Sequence, residues 1–323
     1  MRSWWIESTA TRTEVEAREV PLPQPGAGQV LVRVRAAGLN RGELIASHGL
    51  TKPGAAKPAG VEGAGEVTAL GAGVTQLSVG VRVMGRCPGA FAEYALMDAR
   101  EAIPIPARLT WEEAAAVPLV FMVVHDMLIA QGRLARDEWL LVTGISSGVG
   151  VAALQTAKML GAKVIGTSGS AEKLAKLARL GLDVGVATRG GGFHEPAMKA
   201  TAGKGVDLVV NTVGGTVFAE CVRTLAFEGR LATVGYLDRT LKAEIDLEAL
   251  HAKRLHLFGV SNKLRPAAER AQTVRAFEKD FLPYFADGRI VPVVDRVFAF
   301  DELAAAHEHF DSGAVVGKVV VRM

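Results

Sequence analysis

From Arg18 to about Pro106, short β-branched runs recur between glycines and prolines: Val30 to Arg35, Gly65 to Leu70, Val81 to Met84 and Phe91 to Met97. Runs of that length and punctuation predict strands, and their succession without a helical period predicts a β-rich, barrel-like first region. After Pro106 the pattern changes. Trp111-Glu112-Glu113-Ala114-Ala115-Ala116 reads as a helix start with acids in its first turn, and Pro118 interrupts a second helical stretch that reaches Gln131. A domain junction is expected there.

From Glu138 onward strands and helices alternate. Strands are expected at Trp139 to Thr143, Lys163 to Thr167, Val206 to Val213, Arg230 to Gly235 and Leu255 to Val260, and helices at Val149 to Leu160, Ala171 to Leu180 and Thr216 to Leu225. This spacing requires right-handed crossovers and a parallel sheet covered on both faces, so the region predicts a doubly wound α/β domain. The last segment returns to the texture of the first: a helix around Ala267 to Phe285, a strand around Ile290 to Phe300, an Asp301-capped helix, and a strand Lys318 to Val321. It is expected to rejoin the first domain, which makes residues 119–262 an insertion between 1–118 and 263–323. Leu255 to Val260, apolar and last in the sheet, would leave an open edge.

Composition narrows the partners. The chain has 323 residues, 49% hydrophobic and 22% charged, enough for two cores. Its 37 basic and 34 acidic side chains leave +3, which gives no general attraction to nucleic acid or anionic lipid. The longest apolar run, Ala114 to Val124, is too short to span a bilayer, and residues 1–16 mix Trp4 and Trp5 with Glu7, Arg12 and Glu14 rather than forming a secretory signal. A cytoplasmic location is expected. Cys87 and Cys221 make no CxxC pair, His307 and His309 fall on different faces of a helix, and no HExxH occurs, so no metal site is expected.

The chemistry concentrates in Leu140-Leu141-Val142-Thr143-Gly144-Ile145-Ser146-Ser147-Gly148-Val149-Gly150, a buried strand that runs through glycines into a helix. Such a turn leaves unpaired backbone N–H groups at the positive end of the helix dipole, which suits a pyrophosphate. Ser146, Ser147, Gly148, Val149 and Gly150 are therefore candidate cofactor-binding residues. Ser147 stands where a glycine commonly allows close approach; its hydroxyl either contacts phosphate or only tolerates the turn. At the end of the next strand, where an NAD enzyme needs an acid for the ribose hydroxyls, this chain has Thr167-Ser168-Gly169-Ser170 and no acid until Glu172. Lys173 and Arg189 supply positive charge for a 2′-phosphate, so NADPH is favoured over NADH. The alternative for Lys173 is a solvated first-turn residue.

Thr143-Gly144-x-x-x-Gly148-x-Gly150 also fits the glycine pattern of short-chain dehydrogenases, but no Tyr-x-x-x-Lys follows anywhere in the chain and the loop lies mid-chain. That family is rejected. Several segments, taken in order, resemble the zinc-independent quinone oxidoreductase, or zeta-crystallin-like, branch of the medium-chain dehydrogenases/reductases. They are Ala36 to Asn40, Gly60 to Val67, Phe91 to Tyr94, Ala114 to Pro118, the Ser-Gly-Val-Gly loop with Gln155, Ala157, Lys158 and Gly161, Val164 to Thr167, and Asn211 to Gly215. Enoyl reductase domains of polyketide synthases are close relatives of that branch.

The resemblance implies a GroES-like β-rich substrate domain with a Rossmann domain. It implies hydride transfer from NADPH to a quinone or an α,β-unsaturated carbonyl: an enone, enal or enoyl thioester. Zinc-containing members have a cysteine at the position of Asn40 and a histidine at that of Val61, so the metal that would lower an alcohol's pKa is not expected here. The family role carried onto Asn40 is positioning and polar support beside nicotinamide and substrate; the alternative is a turn asparagine. Asn211, Val213, Gly235 and Tyr236 are implied cofactor contacts, with Tyr236 equally readable as a surface residue. Family tyrosines in the substrate cleft are replaced by Ile45 and Thr51, which points to solvent or an unidentified residue as the acid; His125 is a candidate, against a packed helix histidine. Family members dimerise by pairing the edge at Leu255 to Val260, so a homodimer is implied. Two other readings stay open: an NADPH-binding regulatory or structural protein, and an acyl-carrier-dependent enoyl reductase. The sequence does not name the substrate.

Overall fold

In the computed structural model, which describes residues 1–8, 13–44, 54–262 and 264–323, the glycine-punctuated runs of the N-terminal part become strands. They are β1 (Arg2–Ser8), β2 (Thr13–Glu19), β3 (Gln29–Gly38), β4 (Gly54–Pro58), β5 (Glu62–Leu70), β6 (Arg82–Arg86), β7 (Tyr94–Asp98) and β8 (Ala102–Pro104), with a short α1 (Arg41–Leu44) after β3. The antiparallel pair β1–β2 lies outside a reading that begins at Arg18; the described residues of β2 are exposed or half-buried, so no apolar run marks it. Thr110 then caps α2 (Trp111–Ala115) in a reciprocal box with Glu113.

Pro118 does not interrupt the following helix but begins it. It is the first residue of α3 (Pro118–Val124), where a missing N–H costs nothing, and the chain continues into a π-helical stretch, His125–Ala130. The chain divides here into two compact units, Met1–Met122 with Pro266–Met323, and Val123–Arg265. Because α3 runs on without a break, the division falls inside it, a few residues beyond the junction expected at 118.

The second unit holds β9 (Trp139–Thr143), α4 (Gly148–Leu160), β10 (Lys163–Ser168), α5 (Ala171–Ala178), β11 (Val184–Ala187), α6 (His194–Ala200), β12 (Val206–Asn211), α7 (Phe218–Thr224), β13 (Leu225–Thr233), α8 (Leu247–Ala252) and β14 (His256–Gly259). The strands form a parallel sheet in the order β11-β10-β9-β12-β13-β14. Leu140, Leu141, Val142, Leu208, Val209 and Val210 on the two central strands are fully buried, as a sheet covered on both faces requires. The connection reverses direction between β9 and β12, which makes the carboxyl ends of those strands the switch point where such sheets bind ligands. β11 lies outside the expected strands: it is a four-residue edge strand containing Gly185, too short and too exposed to show an apolar run.

After α9 (Ala267–Asp287), strands β15 (Val294–Ala299) and β16 (Lys318–Arg322) return to the first unit, with α10 (Leu303–Asp311) between them. β16 pairs with β3, giving a sheet ordered β15-β16-β3-β5-β6-β8 with β7 also on β3. The cap before α10 differs from expectation. Asp301 is exposed and pairs with Arg2 at 2.8 Å, while Glu302 reaches back to the Ala299 N–H. Among the described residues no helix is long and apolar enough to cross a membrane.

Candidate cofactor and active site

At the end of β9 the chain turns through Gly144, at φ +67°, whose N–H donates to Thr167 Oγ1 at 3.1 Å. Ser147 is the N-cap of α4: its Oγ accepts the Gly150 N–H at 3.1 Å and its carbonyl accepts the Val151 N–H at 2.8 Å. As a cap the oxygen only accepts, so its hydroxyl proton is left to donate and both sequence readings of Ser147 stay open. Gly148 and Val149, the first two helical residues, have N–H groups with no intrahelical acceptor, half exposed at the positive end of a 13-residue helix. A Cβ on Gly150 would stand 2.5 Å from Ile145 O, so only glycine lets α4 approach the loop this closely.

The adenosine end is equally specific. Thr167 is buried against Gly144, and Ser168 Oγ accepts the Ser170 N–H at 3.3 Å and lies 3.5 Å from Ser146 Oγ. A Cβ on Gly169 would meet Arg189 Cγ at 2.5 Å and Nε at 2.9 Å, so the Arg189 side chain lies on the bare backbone of this turn. Lys173 sits in the first turn of α5, its N–H on the Ser170 cap at 3.3 Å. The one acid nearby, Glu172, pairs with Lys176 at 2.9 Å, and that bond holds its carboxyl below the usual range. Arg189 thus lies on the turn and Lys173 stands in the first turn of the helix that follows it, with the neighbouring Glu172 already paired.

At the switch point Asn211 is fully buried and its amide shapes the loop: Oδ1 accepts from Val213 N, Gly214 N and Thr143 Oγ1, and Nδ2 donates to Gly214 O at 2.9 Å. Thr212 and Thr143 exchange two further bonds, stitching β12 to β9. Val213 and Gly235 are half-buried, and Tyr236 is 38% exposed in the loop after β13. Sequence reasoning missed Asp238, which accepts from Thr216 N and Oγ1 and from Thr240 N and so ties the loops after β12 and β13 together. Burial pushes its carboxyl up, but these hydrogen bonds outweigh that and hold it below the usual range. His125 is buried in the π-helical turn, beside Asp126, which accepts from Arg265 at 3.2 Å and Gln131 at 3.1 Å.

In the first unit Asn40 sits just past β3 in a charged cluster. Lys318 Nζ donates to Asn40 Oδ1 at 2.8 Å, Glu62 Oε1 at 2.6 Å and Leu39 O at 2.6 Å. Asn40 Nδ2 donates to Glu62 Oε1 at 2.8 Å and Gly38 O at 3.3 Å, and Glu62 Oε2 accepts the Leu119 N–H at 2.8 Å. The Glu62 and Lys318 side chains are 0% and 5% exposed. Neither stands out as a site residue in the sequence, although Lys318, a charge opening the buried run Val319 to Val321, is a visible signal. This donor set does not fit a zinc ion. An ammonium group already occupies the Asn40 oxygen, Val61 carries no ligand atom, and burial pushes the Cys87 thiol up to about 12. Among the described residues no three His, Cys, Asp or Glu side chains gather as metal ligands.

Residues 148–277 match the family described as zinc-binding dehydrogenase, and residues 26–107 match the alcohol dehydrogenase GroES-like domain. Acryloyl-coenzyme A reductase of Metallosphaera sedula is 31% identical over 95% of this chain and 96% of its own length. The chain belongs to the medium-chain dehydrogenase/reductase family. The similar proteins include a phenolphthiocerol/phthiocerol polyketide synthase of Mycobacterium tuberculosis, 33% identical over 98% of this chain but only 14% of that much longer protein. Two mycobacterial structures, one of a quinone oxidoreductase and one complexed with NADPH, are each 27% identical, with TM-scores of 0.86 over 100% of both chains. Medium-chain reductases of this kind combine a GroES-like domain with a Rossmann domain, the two units described above, and bind a nicotinamide cofactor.

Proposed function

We propose that this oxidoreductase uses NADPH to reduce an activated double bond, with an enoyl thioester as the leading substrate class and a quinone or simple enone as the alternative electrophile. The observation that carries the reading is the Lys318 ammonium fixed on Asn40. It occupies the side-chain oxygen of the residue that stands where zinc-containing members have a cysteine, which argues against the Lewis acid that alcohol oxidation needs, whereas a conjugated carbonyl is already an electron sink. The names of the acryloyl-coenzyme A reductase and the polyketide synthase among its relatives support a thioester.

The bound nicotinamide supplies a hydride. The chain's part is to hold and orient. The Gly148 and Val149 N–H groups and the α4 dipole receive the pyrophosphate, with the Ser147 hydroxyl available to donate. Arg189 and Lys173 receive the 2′-phosphate. Asn211 and Asp238 fix the loops after β12 and β13. With that hydride the electrophilic β-carbon would be reduced, the C=C electron pair would move toward the carbonyl oxygen, and water would return a proton to the α-carbon. We further propose that β14, at the end of the sheet with one side unpaired, joins the same strand of a second copy, and that the protein acts in the cytoplasm.

The test is anaerobic NADPH oxidation against 1,4-benzoquinone, an alkyl enone, an alkenal and crotonyl thioester. Fastest turnover of the thioester is expected. Tight NADPH binding with no turnover of any of them would replace the reductase by a cofactor-binding protein without chemistry.

A further inference from the structure

We infer that Lys318 is a positioning residue that, with Glu62, locks the side-chain amide of Asn40 so that it meets a ligand only as a hydrogen-bond acceptor. The inference rests on the proposed place of Asn40 beside the ligands and says what it does there.

The orientation of the amide follows from chemistry alone. An ammonium group can only donate, so the atom facing Lys318 Nζ at 2.8 Å is the oxygen; a carboxylate and a carbonyl can only accept, so the atom facing Glu62 Oε1 and Gly38 O is the nitrogen. Both protons of Nδ2 are then engaged, and one lone pair of Oδ1 is taken. The single open valence of the side chain is the second lone pair of Oδ1, on a residue that is only half-buried. Lys318 has three protons and three acceptors, so nothing on it is left for a ligand. Glu62 is held from the other side as well. A Cβ on Gly38 would stand 2.6 Å from Glu62 Oε1, so the carboxylate is seated against bare backbone at the end of β3. Three elements, β3, β5 and β16, therefore converge on one amide.

The consequence is selective. An acceptor-only Asn40 binds a group that donates, such as a carboxamide N–H, a hydroxyl or an ordered water. It does not stabilise the oxygen on which negative charge develops during reduction, which needs donors. That task falls to other groups or to solvent.

The chain contains three asparagines, Asn40, Asn211 and Asn262, so [15N]asparagine labelling yields three side-chain amide signals, and Asn40→Ala assigns the one that disappears. Both Asn40 Nδ2 protons are expected to exchange slowly with water in the wild-type protein, a measurement that needs neither turnover nor a variant. In Lys318→Met/Glu62→Gln, which removes both buried charges together, exchange should accelerate at least about ten-fold. kcat should fall about ten-fold or more, and the same double change made on Asn40→Ala should cause no further fall. Fast exchange in the wild-type protein, or unchanged exchange in the double variant, overturns the inference. Slow exchange with an Asn40→Ala enzyme of normal kcat overturns the proposed place of Asn40 instead.

Discussion

Replacing Arg189 by alanine tests the nucleotide assignment. The side chain lies along Gly169, at the turn after β10, and its guanidinium is solvent-exposed. A charge-assisted bond to phosphate contributes about 1.5–3 kcal/mol, and exposure places this one toward the lower end, about 1.5–2 kcal/mol. Arg189→Ala should therefore weaken NADPH binding about 10- to 30-fold and leave NADH, which lacks the 2′-phosphate, within about two-fold. Raising ionic strength should shrink the wild-type preference for NADPH, because the contact is screened. Fluorescence titration of both nucleotides against wild-type protein and variant reads all of these. Equal weakening of NADPH and NADH would refute the reasoning, since it would mean that Arg189 only supports the turn; an unchanged NADPH Kd would refute it as well.

Other outcomes follow from the same structure. Gly150→Ala should abolish tight binding of both nucleotides in titration, because the added Cβ forces α4 away from Ile145 O. His307 is held down to about 4 by burial, below its ordinary value of 6.5, so the unfolded chain takes up the proton first. Stability is then lost as pH falls from about 6.5 to about 4, by about 3 kcal/mol, and denaturant titrations of His307→Leu should lack that part of the loss. Both thiols are buried, with Cys87 pushed up to about 12, so a disulfide reagent at pH 8 should find no reactive cysteine in the folded chain and two after denaturation. Phe258→Lys on the edge strand β14 should convert a dimer to a monomer in sedimentation, and an unchanged mass would remove that edge as the interface.

The turn between β9 and α4 is legible in the sequence because its signal is local: an apolar strand, glycines and a helix lie within Leu140 to Leu160. Arg189 is legible as a charge after the next strand, and the structure adds Gly169, on whose backbone it lies. The cluster around Asn40 is not legible, since Lys318 and Glu62 stand 256 positions apart and meet only once β16 has been laid beside β3. Asp238 escapes for a similar reason: its partners lie across two loops, in bonds that no hydrophobic period encodes. Pro118 reads as an interruption in the sequence, although the same residue type opens helices where no N–H is required, and only the continuation into the π-helical turn decides between the two.

The central claim is that this chain moves hydride from NADPH to an electrophilic carbon. Its most direct test is anaerobic reaction of NADPH dideuterated at C4 of the nicotinamide with crotonyl thioester, followed by mass and NMR analysis of the product. The account predicts a saturated thioester carrying one deuterium, at the β-carbon, with the α-proton drawn from water. Tight binding of NADPH with no deuterated product from the thioester or from any enone or quinone tried in its place would contradict it.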